Sequence, residues 1–119
     1  MTNYSAGHEA EKMAARYLEK RGYKIVALNW RHVRAEIDIV ALKREAFGFK
    51  KYLVFFEVKY RKTAEQGQGL DYITPKKLKQ MQFAAQLYVS EHNYSGEYCL
   101  GAIELAGEPV GVTSIIEQI

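Results

Sequence analysis

Two short strings of ionisable residues carry the chemistry this chain could perform. They are Glu36-Ile37-Asp38 and Glu57-Val58-Lys59, with Asp38 and Glu57 nineteen positions apart. Paired carboxylates supply hard oxygen ligands of the kind magnesium takes, one or two at a time, while it keeps several waters. An ion so held polarises a phosphate and lowers the pKa of a bound water. A neighbouring ammonium can orient that water or offset charge growing on phosphorus. Asp38 and Glu57 are therefore the candidate ligands for Mg2+ (or Mn2+), with Glu36 auxiliary and the Val58 carbonyl a further oxygen. Lys59 is the group beside the nucleophile. The competing reading is a solvated ion pair between Glu57 and Lys59. A bare E-x-K string is common, so the weight comes from its place in an apolar strand with an E-x-D strand nearby.

The positioning elements follow from periodicity. Glu36–Leu42 and Tyr52–Tyr60 read as strands joined by the polar Lys43–Lys51 connection, most simply an antiparallel pair. Side chains alternate across a strand, so Glu36 and Asp38 are expected on one face. Glu57, Lys59 and Phe55 share a side, and Val54, Phe56 and Val58 point to the other. A helix is expected over about Ser5–Lys20, with Ala10, Met13, Ala14, Tyr17 and Leu18 at amphipathic spacing and Gly22 past its end. A strand follows at Tyr23–Leu28. Gln66–Tyr72 reads as a loop, with Gln66 and Gln68 as weak candidate contacts. Thr74-Pro75 starts a second helix, to about Glu91, as N-cap and first helical residue. Strands close the chain near Tyr98–Leu105 and Val112–Ile116. The order α-β-β-β-α-β-β argues for an α/β fold, a mixed sheet flanked by helices.

Length and composition bound the class. At 119 residues and 48% apolar, one domain spanning 1–119 is expected. No apolar run is long enough to span a bilayer, and the N-terminus lacks the pattern of a secretory leader. The single Cys99 makes no internal disulfide, so a reducing, cytoplasmic location with no membrane partner is the expectation. Charge is divided. All 17 Lys and Arg lie in residues 1–79 against nine acids, a net +8, whereas residues 80–119 hold five acids and no Lys or Arg. Such a split suits an anionic partner, and nucleic acid fits. Arg31, Arg34, Arg61 and Lys62 flank the acidic strings and could hold phosphates. Singly, each is as well read as a solvated cation. Trp30 and the tyrosines are better read as core than as stacking platforms. Gly67-Gln68-Gly69 lacks the context of a phosphate loop, and the three histidines have no zinc-ligand spacing.

The chain resembles the YraN family, whose members look like the PD-(D/E)xK nuclease superfamily. The likeness runs through Gly7, Glu9, Ala10 and Ala14, then Gly22-Tyr23 and Asn29-Trp30-Arg31. It continues through Glu36-Ile37-Asp38-Ile39-Val40-Ala41, Val54–Arg61 and Ile73-Thr74-Pro75-Lys76-Lys77. Archaeal Holliday-junction resolvases are similar in the same pieces. The resemblance implies a restriction-endonuclease-like α-β-β-β-α-β core and a metal-dependent endonuclease acting on DNA, in branched or otherwise structured form. It also implies that Glu9 joins the site as a catalytic acid and metal ligand. Without it, Glu9 is a solvated first-turn acid. Lys77 matches a basic position at the start of the second helix, where it touches phosphate or is simply solvated, and Lys76 beside it is a further candidate contact. A junction-cutting role calls for two active sites and hence a homodimer. Two departures stand out. Tyr98-Cys99-Leu100-Gly101 replaces an Arg-Phe-Asp string, so a supporting acid or base is missing there, and the Glu45–Lys51 connection is long. The alternative function is a non-catalytic nucleic-acid-binding module of the same fold. A weaker one is a protein-interaction domain using the acidic C-terminal third.

Overall fold

The computed structural model describes residues 3–45, 50–62 and 72–119, with side chains from Gly7 onward. The Gln66–Tyr72 loop, apart from Tyr72 itself, and most of the Glu45–Lys51 connection lie outside the described residues. The elements are α1 (Asn3–Lys20), β1 (Lys24–His32), β2 (Ala35–Arg44), β3 (Lys51–Arg61), α2 (Pro75–Glu91), β4 (Glu97–Ala106) and β5 (Gly111–Ile116). This is the α/β order expected from sequence, with β1 four residues longer at its end.

The five strands form one mixed sheet in the order β1-β2-β3-β4-β5. β1, β2 and β3 pair antiparallel, β3 pairs parallel with β4, and β4 pairs antiparallel with β5. A parallel pair cannot be joined by a tight turn, so α2 provides the crossover. Among the described residues, neither helix is long and apolar enough to cross a membrane.

Each helix covers one face. On α1, Ala10, Ala14, Ala15 and Leu18 are buried against Ile39, Val54, Phe56 and Ile103. On α2, Met81, Ala84, Ala85 and Tyr88 are buried against Val40, Leu53, Phe55 and Leu100. Both sets follow i, i+3, i+4 spacing. α1 ends in a Schellman motif: Gly22 adopts φ 93°, and the N–H of Tyr23 donates to the carbonyl of Leu18. α2 begins as the sequence predicts, with Thr74 Oγ1 accepting from the Lys77 N–H at 3.1 Å and Pro75 following.

At the end of the sheet near the β2–β3 connection, one carboxylate ties several elements together. Glu117 accepts from the hydroxyls of Tyr23 and Tyr52 and pairs with Lys43 at 3.3 Å. Gly101 has a packing role within β4. A Cβ there would lie 2.7 Å from the Phe56 ring and 2.9 Å from the Ile116 carbonyl oxygen. Phe56 is fully buried and cannot retreat. Gly101→Ala should therefore destabilise the fold by roughly 1–3 kcal/mol, the usual cost of overpacking, in a urea titration. An unchanged midpoint would mean that the strand has slack here.

Candidate active site at the split between two strands

The β2–β3 ladder runs from Arg44–Lys51 to Ile39–Phe56 and stops. Beyond it the strands are joined through a side chain: the Val58 N–H donates to Asp38 Oδ2 at 2.8 Å. The neighbouring ladder explains the divergence. The register of Leu28 with Ile39 and Trp30 with Ile37 sets Asn29 across from Asp38, and Asn29 adopts φ 51°. Asparagine tolerates this left-handed conformation better than most residues. Alternation breaks at the same level. Ile37 packs on the α2 side and Ile39 on the α1 side. The expectation that Glu36 and Asp38 simply share a face therefore fails.

Asp38 is held at the junction of several negative charges. Its carboxyl is pushed up to about 7 by burial first and then by the charge of Glu57, with Glu11 and Glu36 adding to it. The Val58 N–H acts the other way. Asp38 and Glu57, the two expected ligands, are thus electrostatically coupled. Glu57 points to the α2 side, where it lines a cleft of about 220 Å³ with Glu36, Arg34 and Lys77. The ammonium on Glu57 is that of Lys77, at 2.8 Å, delivered by the first turn of α2. Lys59 is exposed, two positions further along the same face of β3, with Nζ 5.8 Å from the centre of the Tyr72 ring.

Sequence reasoning misplaced the helix acid. Glu11, not Glu9, acts on Asp38, and its Oε2 accepts from Asn29 Nδ2 at 2.7 Å. Residues two apart lie about 200° apart around a helix, so α1 can aim only one of these acids at the sheet. The signal was in the helical stripe. Glu11 precedes the buried Ala14, Ala15 and Leu18 by three, four and seven positions, and so shares their face. Glu9 is half-buried and takes no part in the interactions described around Asp38.

Two further residues were missed. Glu104 on β4 is 5% exposed, and its Oε2 accepts from Arg61 Nε at 2.7 Å while Thr113 Oγ1 donates to its Oε1. This acid lies three residues beyond Gly101 on the same strand and is already paired. This corrects the expectation for Arg61, whose side chain is 12% exposed and engaged with Glu104 instead of projecting towards phosphates. Arg31, Lys62 and Lys76 are exposed, as a role in phosphate contact requires. Tyr72 is the second. Among the described residues its hydroxyl is buried without a hydrogen-bond partner, and burial followed by the charges of Glu57, Glu104 and Asp38 pushes its pKa far up. It is therefore a fixed donor beside three acids. Neither residue belongs to a recognisable string, and each matters only through partners on other elements.

The donor set fits a divalent cation. Asp38, crowded by other carboxylates and holding its proton to about pH 7, would be relieved by positive charge. Among the described residues no three His, Cys, Asp or Glu side chains converge as a ready-made cage. The fit is to a largely hydrated ion on one or two carboxylates.

Fold and site together define an α/β protein with an acidic centre where two strands part. The chain belongs to the family described as uncharacterised protein family UPF0102, the YraN-like family, which matches residues 10–105. A UPF0102 protein of Cytophaga hutchinsonii is 32% identical over 112 residues, covering 94% of both chains. One from Chlorobium phaeobacteroides is 39% identical over 89 residues, 75% of this chain and 66% of the relative. One from Chlorobaculum tepidum is 43% identical over 84 residues, 71% and 60%.

The raised pKa of Asp38 has a stability consequence. Between about pH 4 and 7 the folded state holds a proton that the unfolded chain has lost. Asp38 thus favours folding at low pH, and that contribution drains away as pH rises through 7. Asp38→Asn keeps an acceptor for Val58 and removes the charge. At pH 8 it should be more stable than wild type by on the order of 3 kcal/mol, with the gap closing below pH 4. Denaturant titrations across that range check this. A variant less stable at pH 8 would contradict the charge crowding.

Proposed function

We propose that this protein is a metal-dependent nuclease that hydrolyses phosphodiester bonds in DNA, in branched or otherwise structured form. The observation that carries the reading is the coupling of Asp38 to Glu57 at the open end of the β2–β3 ladder, beside a cleft bearing Lys77. Asp38 and Glu57 would hold Mg2+ or Mn2+, with Glu11 and Glu36 reinforcing the negative field. When bound, such an ion supplies Lewis-acid polarisation of the phosphate and an acidified water.

The rest is work for the chain's own groups. Lys59 orients the attacking water or offsets charge on the phosphate. Lys77 exchanges Glu57 for a phosphate oxygen when substrate enters. The Tyr72 hydroxyl, which has no partner among the described residues, donates to an oxygen of the ligand. Arg31, Lys62 and Lys76 track the backbone without reading sequence. Cutting a junction on two strands would require two copies of the site, and a dimer belongs to that form of the proposal.

A second reading has one observation in its favour. The ion pair with Lys77 neutralises Glu57, one of the two expected metal ligands. A nucleic-acid-binding module that keeps the fold without cutting is built the same way.

Manganese titration separates the two. A nuclease site should gain several degrees in melting temperature with millimolar Mn2+, more at pH 8 than at pH 6, because metal competes with the Asp38 proton. Asp38→Ala should lose that gain and all cleavage of branched DNA while retaining DNA binding. Cleavage equal to wild type in Asp38→Ala would end the catalytic assignment. Salt-sensitive DNA binding with no metal response would establish the binding module.

A further inference from the structure

The outward face of α2 carries a site that the acidic centre does not use. Its inward face is Met81, Ala84, Ala85 and Tyr88. Lys76, Lys79, Gln80 and Phe83 stand on the other side, spaced as one stripe along the helix. Phe83 is 43% exposed, although nothing in the core requires a large apolar ring there. With Pro75, these residues line an open depression of about 460 Å³ whose surface is mostly apolar. Gln80 and Phe83 also line the cleft that holds Glu57 and Lys77. The two spaces therefore share a wall. Among the described residues, neither Lys76 nor Lys79 has an ion-pair partner.

We infer that this depression seats an unpaired nucleobase of the nucleic acid, stacked on Phe83, with its phosphate on Lys76 and Lys79. The charge pattern selects the occupant. An apolar floor suits a flat ring, the two cations require an anion attached to it, and the Gln80 amide offers both donor and acceptor to a base edge. A nucleotide meets all three conditions. Bases inside a continuous duplex are already stacked on each other and hide their faces, so Phe83 is available only to one that is unpaired. The shared wall then places the neighbouring phosphate in the Glu57 cleft. The substrate class narrows to nucleic acid with a single-stranded stretch, flap or bulge beside the cut. The position of the cut rests on the nuclease reading, but the binding preference does not.

Fluorescence anisotropy with labelled oligonucleotides, in EDTA so that no cleavage intervenes, tests the preference. The probes are a single strand, a blunt duplex and a duplex with an unpaired bulge. Wild type should bind the single strand and the bulge more tightly than the duplex. Phe83→Ala, at an exposed position, should lose about tenfold on the unpaired probes and less than about twofold on the duplex, as expected for one stacked base. Phe83→Trp should retain the preference. Lys76→Ala should weaken all three and lower the salt slope by about one. Equal affinity of wild type for the three probes would overturn the inference, as would Phe83→Ala losses that are equal on all of them. Preference for an acidic aromatic peptide over any oligonucleotide would also overturn it. A preference that survives while Mn2+ yields no cleavage would refute the nuclease and leave this site standing.

Discussion

The hydrogen bond from the Val58 amide to the Asp38 carboxylate is the constraint on which the site depends. It takes over where the regular ladder between β2 and β3 gives out, and it fixes the acid between the two layers of the core. A backbone donor would otherwise be stranded at the end of a buried strand, an arrangement proteins avoid. Satisfying it with a carboxylate instead of a carbonyl brings a charge into a half-buried place. The groups around that charge are engaged in turn: Glu57 pairs with a lysine from α2, Asn29 holds Glu11, and Tyr72 is buried beside the same acids.

Cations are placed by topology more than by local sequence. The parallel pairing of β3 with β4 requires the crossover through α2, and the crossover returns its first turn to the open cleft. That is how Lys77 reaches Glu57, twenty positions away in the chain. The same pairing runs β4 along β3 from Tyr52 to Arg61, so Glu104 meets Arg61. Two of the expected phosphate ligands thereby acquire carboxylate partners. One pair is half-exposed and exchangeable. The other is buried and behaves as part of the framework, since separating a buried pair leaves a charge uncompensated.

Much of this was legible in the residues. The order of elements, the division of β3 into a Phe55–Glu57–Lys59 face and a Val54–Phe56–Val58 face, and the Thr74-Pro75 start of α2 all follow from period and capping. Three things were not. The break in alternation at Asp38 depends on one asparagine with positive φ, and asparagine alone does not announce it. The role of Glu11 depends on Asn29 and Asp38, partners on other elements, and the resemblance pointed to Glu9 alone. The partners of Arg61 and Lys77 come from a non-local, parallel contact, about which hydrophobic periodicity is silent.

The Glu117 cluster has a mechanical consequence. It laces β2, β3, the residue before β1 and the chain following β5 at one end of the sheet, while at the opposite end of the β2–β3 seam the ladder has stopped and the Asp38 side chain bridges to Val58. The sheet is thus built like a clothes-peg, sprung at its tied end and free to gape at its jaws. Local opening in such a body costs far less at the jaws than at the spring. Amide exchange at Val58 should accordingly outpace exchange at Val54, whose N–H faces β2 within the regular ladder.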